Sequence, residues 1–292
     1  MPVAISQALD DQASAADTKF QDIRKPGRYL ISSMLAGAYI GVAVVLLLAV
    51  TSPLSVADSP WTKLIQGLVF GIALTLVVFA GAELSTGNMM TMVHGVFRRR
   101  AGVVAAATVI LFSLVGNLIG SVLFAWLVHA SGVLSTGATP DETAPGLALL
   151  TTVVTAKSSA PAAVLFFRGV LCNFLVCLAV WQAARAQTDG AKLVVIFWCL
   201  LAFIGSGFEH VVANMTVFSL GMFAGVPAAS LGAFATNVLW VGLGNLVGGG
   251  LLVGATYGMI GSRQVREAAV PEAVPSMAPA AGDGAQRAAS RA

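Results

Sequence analysis

The sequence predicts an all-α membrane protein: six transmembrane spans forming an inverted three-plus-three repeat, with the second and fifth helices broken. Three observations predict it. The 292 residues are 57% apolar and only 10% charged, whereas soluble domains carry roughly 25% charge. Apolar stretches of about 20 residues, enough to cross a bilayer, recur near 29–50, 63–97, 102–130, 148–186, 192–223 and 228–260. One polar, glycine-bearing frame occurs twice within them. It reads Gly81-Ala82-Glu83-Leu84-Ser85-Thr86-Gly87-Asn88-Met89, then Gly207-Phe208-Glu209-His210-Val211-Val212-Ala213-Asn214-Met215.

Residues 1–28 are polar and lack an apolar signal core, so they read as a cytoplasmic amino-terminal segment, not a cleavable signal. Residues 29–260 hold the spans. Residues 261–292, rich in Ala, Pro and polar side chains, read as a disordered cytoplasmic tail. Orientation follows from Lys and Arg. Lys19, Arg24, Lys25 and Arg28 precede span 1, Arg98 to Arg100 separate spans 2 and 3, Arg185 and Lys192 flank the turn between spans 4 and 5, and Arg263 and Arg266 follow span 6. The other loops hold almost none, Lys63 excepted, which places both termini in the cytoplasm. The net charge of +3 is this loop bias and not a nucleic-acid patch. Cys172, Cys177 and Cys199 fall inside spans with no disulfide or metal-ligand spacing. They behave there as small apolar residues.

The likeness of the halves extends to spans 3 and 6, which carry Gly116-Asn117-Leu118-Ile119-Gly120 and Gly244-Asn245-Leu246-Val247-Gly248. Spans 1 and 4 pair by elimination. Three spans per half reverse the direction of the second half, and inverted repeats commonly build a substrate site at the midplane between broken helices. Gly81, Gly87, Gly205 and Gly207 weaken the helices where the frame occurs. Unwound backbone in a membrane must be buried in protein or line a cavity. Glu83 and Glu209 are expected to accept hydrogen bonds from amides freed by the breaks, as structural acceptors and not as ligands of an anion. The alternative is a simple glycine kink that aids helix packing.

An ionisable residue within the membrane is costly and usually functional. His210 is the leading candidate, since its ring donates or accepts and its charge changes near neutral pH. Its alternatives are a histidine satisfied between packed helices, or a haem ligand. Thr86 offers a hydroxyl at the other break. Lys157, near the outer end of span 4, either snorkels to the interface or draws anions into a vestibule. Arg168 lies about 16 Å deeper along a continuous helix and demands a partner: Glu83, Glu209, a backbone carbonyl or a neighbouring subunit. Asn173 and Asn245 are buried polar residues that more often bridge helices than bind substrate. Phe70, Leu74, Leu84 and Phe203 flank the breaks, either as lipid-facing or core side chains or as apolar gates that exclude water. The doubled, polar, glycine-broken frame points to a transporter or channel. A haem-bearing redox subunit is a weaker reading. An intramembrane hydrolase lacks its expected HExxH motif or paired aspartates.

These residues resemble the formate/nitrite transporter family over roughly 20–262. The resemblance rests on Ala82-Glu83-Leu84-Ser85-Thr86-Gly87, then Lys157, then Arg168-Gly169-Val170-Leu171-Cys172-Asn173, then Phe208-Glu209-His210 with Ala213-Asn214-Met215, then Leu243-Gly244-Asn245. The stretches from Phe166 to Trp181 and from Trp198 to Ile204 look most like its nitrite branch. The resemblance implies an aquaporin-like fold and a homopentamer in a bacterial cytoplasmic membrane. Each protomer would hold its own pore for nitrite, with formate and hydrosulfide as rivals and no cofactor. It implies Thr86 and His210 at the pore centre, Lys157 in the outer vestibule, Asn173 and Asn245 near the histidine, and Phe70, Leu74, Leu84 and Phe203 at the constrictions. The family commonly has Phe between the Leu and Thr of its first motif. Here that position is Ser85, which is expected to widen a constriction.

Overall fold

The computed structural model describes residues 1–139 and 141–261. The expected disordered tail lies, beyond Gly261, outside the described residues. Among the described residues, eleven α-helices follow in chain order: α1 (Ile5–Asp22), α2 (Pro26–Val56), α3 (Thr62–Phe70), α4 (Ile72–Ala80), α5 (Ser85–Phe97), α6 (Val103–Ser131), α7 (Pro145–Ser159), α8 (Ala162–Arg185), α9 (Asp189–Gly205), α10 (Val211–Phe223) and α11 (Leu231–Leu246). A π-helix over Val247–Ala255 continues α11.

Among the described residues, five stretches are long and apolar enough to cross a membrane: Pro26–Val56, Thr62–Ala80, Val103–Ser131, Ala162–Arg185 and Leu231–Gly261. Their outward faces carry large apolar side chains such as Leu111, Trp126, Phe167 and Leu251, all more than half exposed in the single protomer. An apolar surface of that extent marks contact with lipid or another subunit. The chain is a multi-pass membrane protein.

One expectation is corrected. The stretch 148–186 is not one helix. It divides into α7 and α8 at Ala160-Pro161, where Ala160 is extended. Proline has no amide hydrogen and disfavours helical geometry in the residue before it, so the helix ends there. The depth assigned to Arg168 along a continuous helix therefore does not apply. The amino-terminal segment docks on the bundle. It forms α1, whose Ala8, Leu9, Ala13 and Ala16 are buried and which packs on α5. Arg98 ties it down by pairing with Asp10 at 3.1 Å.

The packing partners set the positions of the polar frames. α2 lies along α6, and α8 lies along α11. Gly120 approaches the Met34 carbonyl and Gly248 the Val170 carbonyl so closely that a Cβ at either position would collide with backbone. The glycines thus bring Asn117 and Asn245 within reach of the facing helices.

Candidate functional site

The chain is non-helical between Ala80 and Ser85, and again between Gly205 and Val211. Gly81 (φ +77°) and Gly207 (φ +73°) take left-handed backbone at the two interruptions, a conformation that residues bearing a Cβ adopt at a cost. Leu84 and His210 are then extended and open α5 and α10.

The two interruptions are held in the same way. The Asn117 Oδ1 accepts from the Ser85 amide at 2.9 Å. Its Nδ2 donates to the Glu83 and Ser33 carbonyls, both at 2.8 Å. The Asn245 Oδ1 accepts from the Val211 amide at 2.9 Å, and its Nδ2 donates to the Gly169 and Glu209 carbonyls at 2.8 and 3.0 Å. Freed backbone groups buried without partners would be costly, and two asparagines satisfy them. The carboxylates were expected in that role. They bind side chains instead. Glu83 takes Lys19 of α1 at 2.6 Å, Tyr29 at 3.0 Å and Asn88 at 3.2 Å. Glu209 takes Lys157 of α7 at 2.6 Å and Asn214 at 2.7 Å.

Lys157 is therefore not a free charge. Its side chain is 16% exposed and that of Glu209 is 7% exposed. Arg168 has no salt bridge and no side-chain hydrogen bond among the described residues. It lines the same cavity as Lys157 and Glu209, and its backbone carbonyl accepts from the Glu209 amide at 3.2 Å.

The structure brings Thr86 and His210 together. The Thr86 Oγ1 and His210 Nε2 are 3.0 Å apart. His210 also caps its own helix, its Nδ1 accepting from the Ala213 amide at 3.2 Å. An Nδ1 that accepts leaves the hydrogen of the neutral ring on Nε2, so Nε2–H donates to the threonine oxygen. The threonine hydroxyl keeps its own hydrogen to give. With Nδ1 capping and Nε2 protonated, the ring has no free lone pair for a haem iron. Asn173 Nδ2 donates to the Thr86 carbonyl at 3.2 Å and to the Asn245 carbonyl at 2.7 Å. The Cys177 thiol, read from sequence only as a small apolar residue, also donates to the Thr86 carbonyl, at 3.3 Å.

Three cavities share walls. The first has a volume of about 390 Å³ and includes Lys157, Glu209, Phe70 and Phe203 in its lining. The middle one, about 10 Å³, is bounded by Phe70, Phe203, Leu74, Leu84 and His210, and has room for roughly one water. The third, about 420 Å³, is lined by Leu74, Leu84, Glu83 and Lys19. Phe70 and Phe203, their rings 5.5 Å apart edge to face, separate the first from the second. Leu74 and Leu84 separate the second from the third. Thr86 is fully buried and meets the middle cavity through the His210 ring. Ser85 does not fit the expected place. It is fully buried, lines none of the three cavities, and its hydroxyl has no partner among the described residues.

Comparison with known proteins gives concordant results. The family description for formate/nitrite transporters matches residues 6–259. The nitrite transporter NirC of Escherichia coli (strain K12) is 41% identical over 249 residues, 84% of this chain and 88% of its own. A probable formate transporter of Methanothermobacter thermautotrophicus is 36% identical over 262 residues, 86% of this chain and 95% of its own. Among solved structures, an FNT family ion channel superposes with a TM-score of 0.80 at 38% identity, covering 87% of this chain and 98% of that one. A pentameric formate channel with formate bound superposes with a TM-score of 0.64 at 28% identity, covering 82% and 98%.

Proposed function

Because the chain belongs to the formate/nitrite transporter family, we propose that it carries nitrite across a bacterial cytoplasmic membrane, through a pore in each protomer of a homopentamer. The observation that carries this reading is the series of cavities through a single protomer, divided by two apolar constrictions with His210 between them. The relative named for nitrite transport supports nitrite, and the solved pentameric channel supports the assembly. The pairing of Asn117 with Asn245, and of Glu83 with Glu209, supports an inverted six-span repeat in which α3–α5 and α9–α10 are the broken second and fifth spans. The distribution of Lys and Arg supports cytoplasmic termini.

In this reading the anion leaves the outer cavity, passes Phe70 and Phe203, meets His210, and exits past Leu74 and Leu84. The middle space is too small for nitrite unless one of these pairs moves. An unpaired charge in an apolar passage is expensive. His210 lowers that cost by a hydrogen bond, relayed through Thr86 or offered directly. It serves as a proton donor only if its Nδ1 releases the Ala213 amide and takes up a proton, so that Nε2–H becomes acidic enough to transfer. Formate has similar size and the same charge, and the probable formate transporter keeps it as the second reading. Purified protein in liposomes, tested for nitrite and formate flux with and without a pH gradient, decides. Saturable nitrite flux faster than formate flux supports the proposal. Flux of neither anion overturns it.

A further inference from the structure

Thr86 is held from two sides. Its hydroxyl meets His210 at 3.0 Å, and its carbonyl takes two donors from one face of α8. Asn173 Nδ2 lies at 3.2 Å and Cys177 Sγ at 3.3 Å. These two residues are one helical turn apart, so they present neighbouring side chains to the start of α5. The thiol has one hydrogen to give. Asn173 Oδ1, a second acceptor beside it, lies further off at 3.6 Å. A Cβ at Gly249 would collide with both Asn173 Nδ2 and Cys177 Sγ, so the π-helix backs the two donors closely. Cys177 is fully buried and lines none of the three cavities. It meets no anion itself.

We propose that Cys177 is a positioning residue for transport: by holding the Thr86 carbonyl, its thiol keeps the Thr86 hydroxyl where His210 and the passing anion can use it. This deepens the transport reading above and rests on it. The need for such a hold follows from the interruption. The backbone before Ser85 is not helical, so no preceding turn fixes the start of α5. Asn117 secures the Ser85 amide from α6, and α8 secures the Thr86 carbonyl. Asn173 alone is a divided hold, since its Nδ2 also donates to the Asn245 carbonyl at 2.7 Å. Cysteine suits the second hold for a physical reason. A serine within a helix readily gives its hydrogen to the carbonyl four residues earlier, as Ser33, Ser113 and Ser219 do. The thiol, a weaker donor on a longer arm, reaches across to α5 instead. Cys177 acts at the middle of the pathway and away from both mouths. Its effect therefore falls on the maximal rate and not on the half-saturating concentration.

The test measures nitrite flux against nitrite concentration for the full chain in liposomes. It compares the wild type, Cys177→Ala, Cys177→Val, Thr86→Val, and each cysteine variant combined with Thr86→Val. Alanine leaves space and valine fills it, so a loss shared by both is not an effect of packing. If one of the two fails to fold, the other carries the comparison. Each should lower the maximal flux about fivefold, the scale of one weak hydrogen bond, at an unchanged half-saturating concentration. In the Thr86→Val background neither should lower it further, because effects that run through one contact do not add. The thiol gives a second reading. Its infrared S–H stretch absorbs where other protein groups do not, and moves to lower wavenumber when the thiol donates. The band missing from Cys177→Ala should lie at the lower position in the wild type. A band at the position of a free thiol overturns the proposal. So does the same fivefold loss in the Thr86→Val background, or a loss in Cys177→Ala that Cys177→Val restores, which would assign Cys177 to packing. Wild-type flux with no change in either cysteine variant overturns this proposal alone. Absence of wild-type flux for both nitrite and formate overturns the transport reading, and this proposal with it.

Discussion

His210 and Thr86, on opposite interruptions of the chain, meet at 3.0 Å between His210 Nε2 and Thr86 Oγ1, and the Ala213 amide on Nδ1 fixes which of the two donates. The ring is thereby both a helix cap and a hydrogen-bond donor. Thr86→Val keeps shape and removes the acceptor, leaving Nε2–H unpartnered in a buried site. One lost hydrogen bond of this kind amounts to about 1–2 kcal/mol. Nitrite flux through liposome-reconstituted Thr86→Val should fall about tenfold while thermal unfolding shows a retained fold. Unaltered flux would remove Thr86 from the pathway.

His210→Asn separates capping from proton exchange. Asparagine is a good helix cap, so its side-chain oxygen replaces Nδ1 in accepting from Ala213. It has no titration near neutral pH. The variant should assemble normally. If His210 supplies protons, nitrite uptake should lose its dependence on a pH gradient and retain at most a pH-insensitive leak. Persistence of the full pH-gradient response in the variant would leave His210 as a hydrogen-bond donor only.

Lys157 and Glu209 should behave as a unit. Removing one partner of a buried pair leaves an uncompensated charge, a loss of about 3–5 kcal/mol, whereas replacing both is far milder. Lys157→Met should lower thermal stability strongly, and Lys157→Met with Glu209→Gln should recover most of the loss. The double-mutant cycle measures the coupling directly. Additive effects in thermal unfolding would mean that the 2.6 Å contact contributes nothing to stability.

The positions of the interruptions were legible because Gly81 and Gly207 repeat with a carboxylate two residues later, within apolar sequence. The neighbours of those carboxylates were not. Asn117 and Asn245 are remote in sequence from Ser85 and Val211, and no local pattern says that a side chain of one helix will cap another. The division at Ala160-Pro161 was visible as a residue-before-proline signal, but the apolar run across it outweighed the proline. The docking of α1 was also within reach, since Ile5, Ala8, Leu9, Ala13 and Ala16 recur at helical spacing, though alanines give a weak stripe. The pairing of Lys157 was hidden. It depends on α7 turning away from α8, so position along a presumed single helix misplaced its charge.

The two asparagines give the most general test of the shared architecture. Each holds an amide and two carbonyls across an interruption, and truncation strands buried backbone groups that cost about 1–3 kcal/mol apiece. Asn117→Ala and Asn245→Ala should therefore destabilise the protein to similar extents, read as matched drops in unfolding temperature. A large loss in one and none in the other would show that the two halves are not held alike.

Ser85 offers a sharper contrast, because two lines of reasoning place it differently. The family resemblance sets it beside a gate, where a residue smaller than Phe would widen the passage and admit larger anions. The hydrogen-bond pattern sets it level with Val211, since both donate their amides to an asparagine oxygen, and both side chains are fully buried. A buried hydroxyl without a partner is a net cost. Ser85→Ala should then leave nitrite flux unchanged and keep or raise stability by up to about 1 kcal/mol. Ser85→Phe should act through packing: overfilling a close-packed site costs about 1–3 kcal/mol, so the yield of folded protein and the unfolding temperature should fall. The protein that does assemble should keep its relative rates for nitrite, formate and acetate. Selective loss of acetate flux in Ser85→Phe, with stability intact, would return Ser85 to the pore wall and show that the gate opens toward it during transport. Loss of stability with unchanged selectivity would place Ser85 among the residues that seat α5 and, through α5, hold Thr86 against His210.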